Sequence, residues 1–192
     1  SWPYIKSTKN ETNDEIFESI VSQEKALPHW EELDFEFDLM VENPHQKIPD
    51  FISAGAKRIV VHRGSVGEDE LSAIVRDYGK QSDDIDLFGT ELGIALLPND
   101  SPDLIKDIAQ KIHFVEVMGI KNIGFQGQVF DPQAIELVNS LQKKYPNLPI
   151  SVDGGINFEQ AKTLIATGAD RLVVGSYLFN STDFSGTLKE LS

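Results

Sequence analysis

Two stretches of this chain repeat one another. Phe51-Ile52-Ser53-Ala54-Gly55-Ala56-Lys57-Arg58-Ile59-Val60-Val61 is echoed by Leu164-Ile165-Ala166-Thr167-Gly168-Ala169-Asp170-Arg171-Leu172-Val173-Val174. Each reads as the end of a helix, a glycine suited to the left-handed position that closes it, and a buried β-branched strand. A helix that feeds straight into a buried strand calls for parallel strands joined by right-handed crossovers.

The rest of the chain keeps the same alternation. Thr12 and Glu15 form a capping box ahead of an apolar stripe (Ile16, Phe17, Ile20, Val21) that predicts a helix to about Lys25. Helices are predicted around Ile48 to Ala54, Glu68 to Tyr78, Pro102 to Lys111, Pro132 to Lys144, Asn157 to Ala166 and Asp183 to Leu191. Strands are predicted at Phe35 to Val41, Arg58 to His62, Leu92 to Leu97, His113 to Met118, Pro149 to Asp153 and Arg171 to Val174. An acidic connection through Asp83, Asp84 and Asp86 reads as solvated. The pattern specifies an α/β fold, a parallel (β/α) TIM-type barrel present as about six β/α units.

The strand at 35–41 alternates strictly, with Phe35, Phe37, Leu39 and Val41 on one face and Glu36, Asp38 and Met40 on the other. An edge strand would turn the charged face to water. In a barrel the apolar face packs on outer helices and the polar face points inward. The surrounding alternation selects the barrel.

Composition sets the outer limits. With 192 residues, 40% hydrophobic and 25% charged, the chain suits one soluble domain spanning 1–192. No apolar run is long enough for a membrane span and no signal-peptide pattern opens the chain, so a cytoplasmic protein without membrane partners is expected. Cysteine is absent, which excludes disulfides and thiolate zinc sites. A net charge of -14 with no basic patch argues against nucleic acid. It leaves anionic small molecules open, because backbone amides and helix N-termini bind phosphate without net positive charge.

The chemistry concentrates at Pro149-Ile150-Ser151-Val152-Asp153-Gly154-Gly155-Ile156. Asp153 ends a buried strand, where parallel α/β folds carry their active sites. Gly154 and Gly155 allow the backbone to approach a ligand, and the helix starting near Asn157 aims its amide end at the same place. The alternative is a purely local role, with Asp153 capping a turn that the glycines tighten. Met40 and Met118 both end strands, and either pocket lining or core packing would suit them. His62 at a strand end reads as a packed or hydrogen-bonded residue. His29, His45 and His113 have no ligand spacing.

Four motifs occur in order: Asp38-Leu39-Met40-Val41-Glu42-Asn43-Pro44, Gly124-Phe125-Gln126-Gly127-Gln128, Val152-Asp153-Gly154-Gly155-Ile156 and Val174-Gly175-Ser176. Together they resemble the ribulose-phosphate 3-epimerase family from about Phe37 to Phe179. The resemblance implies a racemase/epimerase that interconverts D-ribulose 5-phosphate and D-xylulose 5-phosphate by two-carboxylate proton transfer through an enediolate. It implies Asp153 as catalytic acid/base and metal ligand. Gly154, Gly155, Gly175 and Ser176 would form the phosphate cradle. Gly124, Phe125, Gln126 and Gly127 would lie in the loop that closes over substrate, and Met40 and Met118 would line the pocket.

The resemblance also implies a divalent metal ion (Zn, Fe, Mn or Co), with Asp38 and Asp153 as ligands. Asp38 stands where the family has a histidine, and Gln126 replaces a glycine. The partner carboxylate normally comes from an H-x-D-x-M-D-G strand, and no His-x-Asp occurs here. The expectation is therefore a barrel lacking its first two β/α units, with open strand edges that favour a homo-oligomer. A sugar-phosphate-binding barrel without epimerase activity is the alternative.

Overall fold

The computed structural model describes residues 13–80, 89–125 and 127–191. The capping residue Thr12, the acidic stretch Asp83 to Asp86 and Gln126 lie outside them. Six strands, β1 (Phe35–Leu39), β2 (Ala56–His62), β3 (Glu91–Leu96), β4 (Phe114–Met118), β5 (Ile150–Asp153) and β6 (Arg171–Val173), follow one another in sheet order β1-β2-β3-β4-β5-β6. The pairs β1–β2, β4–β5 and β5–β6 are parallel. Helical segments separate the strands, so the fold is α/β of the TIM-barrel type, with six strands against the eight of a closed barrel.

The described residues form two compact units, the boundary along the chain falling within β3. The first runs to Ile94 and takes in Lys111–His113; the second holds Ala95–Gln110 and everything from Phe114 on.

In the first unit, α1 (Asn13–Val21), α2 (Pro44–Ser53) and α3 (Glu68–Tyr78) accompany β1 and β2. The Phe51 ring of α2 meets Phe17 of α1 at 4.7 Å and Phe37 of β1 at 5.1 Å. The apolar face of β1 therefore packs on helices. Its polar face pairs with β2: Glu36 accepts from Arg58 Nε at 3.0 Å, and Asp38 bonds His62 at 2.7 Å. This is the inward-facing arrangement expected of a barrel strand, as opposed to a solvated edge.

Helix α1 ends at Val21, short of Lys25. Helix α2 starts four residues before Ile48, because Pro44 occupies a first-turn position where its fixed φ suits the helix and its missing N–H costs nothing. Pro49 then sits inside α2. The backbone enters α2 through Asn43 in the left-handed conformation (φ 52°).

In the second unit, α4 (Gln133–Lys144) buries Ala134, Leu137, Val138 and Leu141, the i, i+3, i+4, i+7 stripe of a core-facing helix. Helix α5 (Phe158–Thr167) is capped by Asn157, whose side-chain oxygen accepts from the N–H groups of Glu159 and Gln160. Such a cap is worth about 1 kcal/mol. It closes at Gly168 with φ 112°, and its counterpart Gly55 in the first unit has φ 94°, so both echoed glycines take the left-handed position.

Two segments depart from the sequence reading. The predicted helix at Pro102 to Lys111 is a single 3-10 turn (Pro102–Ile105) followed by irregular turns. Its buried Ile105 and Ile108 are three residues apart and linked by an Ile108 N–H to Ile105 C=O bond, the repeat of the tighter helix. After β6, a short helix α6 (Ser176–Phe179) precedes α7 (Phe184–Leu191). Strand β1 also stops at Leu39, leaving Met40 and Val41 just beyond it.

Candidate functional site

The strand β4, Phe114-Val115-Glu116-Val117-Met118, is buried along its whole length. Parallel pairing sets Glu116 opposite Ser151 and Met118 opposite Asp153, so these four side chains share one face of the sheet. Glu116 is 1% exposed. Its Oε2 accepts from Ser151 Oγ at 3.2 Å, and the same hydroxyl oxygen accepts from Arg171 Nε at 3.2 Å. The Arg171 guanidinium lies 4.4 Å from the Phe114 ring centroid. A positive charge is thus held one hydroxyl away from a buried carboxylate, which offsets part of its desolvation cost.

Asp153, partly exposed at the last position of β5, brings a carboxylate oxygen within 4.8 Å of one from Glu116. One divalent cation with metal–oxygen bonds of roughly 2.0–2.6 Å spans such a gap. The donor set is all oxygen, the chemistry that suits Mg, Mn or Ca better than zinc's usual nitrogen and sulfur. The residues therefore fit a divalent ion. Sequence reasoning missed Glu116. Its signal was an acid inside an otherwise apolar strand, on the same alternation as Met118.

The turn after β5 is packed against the segment that follows β4. Gly119 N–H donates to the Asp153 carbonyl at 2.6 Å, and a Cβ on Gly119 would fall 2.1 Å from the Gly154 carbonyl oxygen. Gly155 has φ 67°, and a Cβ there would meet the Phe130 backbone nitrogen at 2.7 Å. The double glycine is thus demanded by close backbone approach and by left-handed dihedrals. Asp131, 7% exposed, donates its N–H to the Gly119 carbonyl, accepts from Gln133 N–H, and pairs with Lys121 at 3.4 Å. Both ends of the loop bearing Gly124, Phe125 and Gly127 are fixed in this way.

A cleft in the second unit is lined by Gly127, Gln128, Gly155, Asn157, Ser176 and Tyr177, among others. It brings the turn after β5 together with the start of α6. Gly175 has open space where a side chain would go. Gly124 and Gly127 have φ 86° and 72°, and Phe125 is exposed. Met118 is fully buried in the sheet, and Met40 is partly exposed beyond β1.

In the first unit, Asp38 at the inward face of β1 is held by His62, which is 2% exposed. The remaining histidines serve structure where bonds are seen. His45 bonds Asp77 at 2.8 Å, and His113 Nδ1 accepts from Leu92 N–H at 2.9 Å.

Parallel strands whose carboxylates and glycine turns sit at their C-terminal ends define a (β/α)-barrel protein with its functional groups at the face such barrels use for chemistry. The chain belongs to the ribulose-phosphate 3-epimerase family, whose model, described as the ribulose-phosphate 3 epimerase family, matches residues 16–179. It is 31% identical over 168 residues to the chloroplastic ribulose-5-phosphate-3-epimerase of Arabidopsis thaliana, covering 85% of this chain and 57% of that protein. It is 29% identical over 147 residues to the cytoplasmic isoform of ribulose-phosphate 3-epimerase from Oryza sativa subsp. japonica, covering 76% and 61% respectively. The chain thus spans about three fifths of the length of these curated relatives. A solved 3-hexulose-6-phosphate synthase from Salmonella typhimurium shares the fold, with a TM-score of 0.65 at 16% identity over 91% of this chain and 77% of that one.

Proposed function

We propose that the protein is a ribulose-phosphate 3-epimerase-like isomerase, interconverting D-ribulose 5-phosphate and D-xylulose 5-phosphate. The observation that carries the reading is the cleft shared by Gly155 and Ser176, which opens two residues from Asp153. In this reading the ester phosphate lies against the Gly154-Gly155 turn and the Gly175-Ser176 turn. Gly124, Phe125 and Gly127 contribute the loop beside it, and Met118 apolar surroundings.

Asp153 then faces the carbon next to the ketone and removes its proton, and a second acid on the opposite face of the enediolate returns one. A positioned carboxylate of this kind contributes about 10²–10⁴-fold to rate. Asp153 and Glu116 are the groups proposed to hold a divalent ion, which when bound supplies positive charge to a developing oxyanion. Ser151 and Arg171 keep the Glu116 carboxylate oriented. The compartment proposed is the cytoplasm, one of the two that the relatives' names carry.

The bond between Asp38 and His62 favours a second reading, a sugar-phosphate-binding barrel without epimerase activity, because the carboxylate is already engaged. Incubation with D-ribulose 5-phosphate and Mn²⁺ decides between the two. The first predicts formation of D-xylulose 5-phosphate. Tight binding of the phosphosugar without conversion would leave only the second, and no binding would remove both.

A further inference from the structure

Gln128 follows the two left-handed glycines of the loop after β4, Gly124 and Gly127. Its side-chain Nε2 donates to the carbonyl of Phe125 at 2.9 Å and to that of Asn122. A primary carboxamide has two N–H groups, so a single side chain ties down two backbone acceptors at once. Those acceptors lie on the loop itself, three and six residues back along the chain. Gln128 and Gly127 also line the cleft that holds Gly155 and Ser176.

We propose that Gln128 is a positioning residue, whose carboxamide ties the Asn122 and Phe125 carbonyls to the Gly127-Gln128 segment that forms one wall of the phosphate cleft. The inference rests on the phosphate-binding reading of that cleft. A glycine-rich loop has many conformations to lose, and a wall that must be ordered on binding subtracts that ordering from affinity. The brace removes the cost beforehand. Gln128 acts on the loop carbonyls and has no part in moving the proton, so its loss weakens binding and spares the chemical step.

The test is Gln128→Met, which keeps length and removes both donors, beside the unsubstituted protein and Gln128→Asn, whose amide is one methylene too short to span both carbonyls. Calorimetry uses inorganic phosphate and D-ribulose 5-phosphate as probes. Amide hydrogen exchange over residues 122–128 reports the brace in the unliganded protein.

The expected result for Gln128→Met is at least tenfold weaker binding of both probes, faster exchange in the loop and an unchanged melting temperature. Where turnover is measured, KM rises and kcat stays within about twofold. Gln128→Asn should fall between the two. Binding by Gln128→Met equal to that of the unsubstituted protein, or unchanged loop exchange, overturns the role of Gln128 and leaves the phosphate site standing. Failure of the unsubstituted protein to bind either probe overturns both.

Discussion

Asp38 and His62 stand on adjacent parallel strands, two residues out of register, and share a 2.7 Å hydrogen bond between a buried imidazole and a partly exposed carboxylate. The pairing gives Asp38 a fixed orientation. Replacing His62 by alanine leaves a partly buried carboxylate without this partner and a void beneath it. We expect a loss of roughly 1–3 kcal/mol in urea unfolding.

Glu116 provides a test of the oxygen-donor set. Glu116→Gln keeps the shape and the contact with Ser151 but removes the negative charge. Mn²⁺ affinity, read by electron paramagnetic resonance, should fall at least tenfold while the folded structure is kept. Equal affinity would mean that the buried acid serves packing alone.

Two glycines that look equivalent in the motifs should respond differently. Gly155→Ala places a Cβ 2.7 Å from the Phe130 backbone at φ 67°, so it should cost roughly 1–3 kcal/mol or more and distort the cleft. Gly175→Ala meets no atom within 4 Å at φ −104° and should leave thermal unfolding nearly unchanged. Similar melting temperatures for the two variants would contradict the close approach at Gly155.

Asp77 of α3 accepts from its neighbour Arg76 and from His45 of α2, and these bonds hold its carboxyl below the usual carboxylate range, Arg76 contributing most. A lowered folded-state value means that the contribution is complete above the unfolded value of about 3.9 and is lost as pH falls through the folded one. Acid unfolding of Asp77→Asn should therefore show a flatter stability profile below about pH 4. The effect is small, because the group is partly exposed and screened.

The last strand of the order carries an expectation of self-association. β6 is half-exposed throughout, and Ile165, Phe179, Phe184 and Leu188 of the neighbouring helices are exposed apolar side chains. An apolar, half-exposed strand end is a template for pairing. Light scattering should give a mass above 21.4 kDa, and a clean monomer would contradict the expectation.

Much of this architecture was legible in the sequence, since periodicity and glycine placement are local signals. The echoed Gly55 and Gly168 announce two helix ends, and the helix expected around Glu68 to Tyr78 is α3. Pro102 to Lys111 read as a helix because its apolar spacing suits either winding. The helix expected around Ile48 starts four residues earlier because Pro44 takes the first-turn position. In the candidate site the glycine turns and Asp153 stood out by sequence neighbours alone. Glu116 did not, because its place beside Ser151 and Asp153 depends on strand register, which one strand's sequence does not carry.

The most direct test is proton exchange at C3 of D-ribulose 5-phosphate in D₂O with Mg²⁺, followed by proton NMR. The account predicts loss of the C3 proton signal together with appearance of D-xylulose 5-phosphate, and a fall of about 10²–10⁴-fold for Asp153→Asn with phosphosugar affinity preserved. Exchange at an undiminished rate in Asp153→Asn, or none at all in the saturated unsubstituted protein, would contradict it.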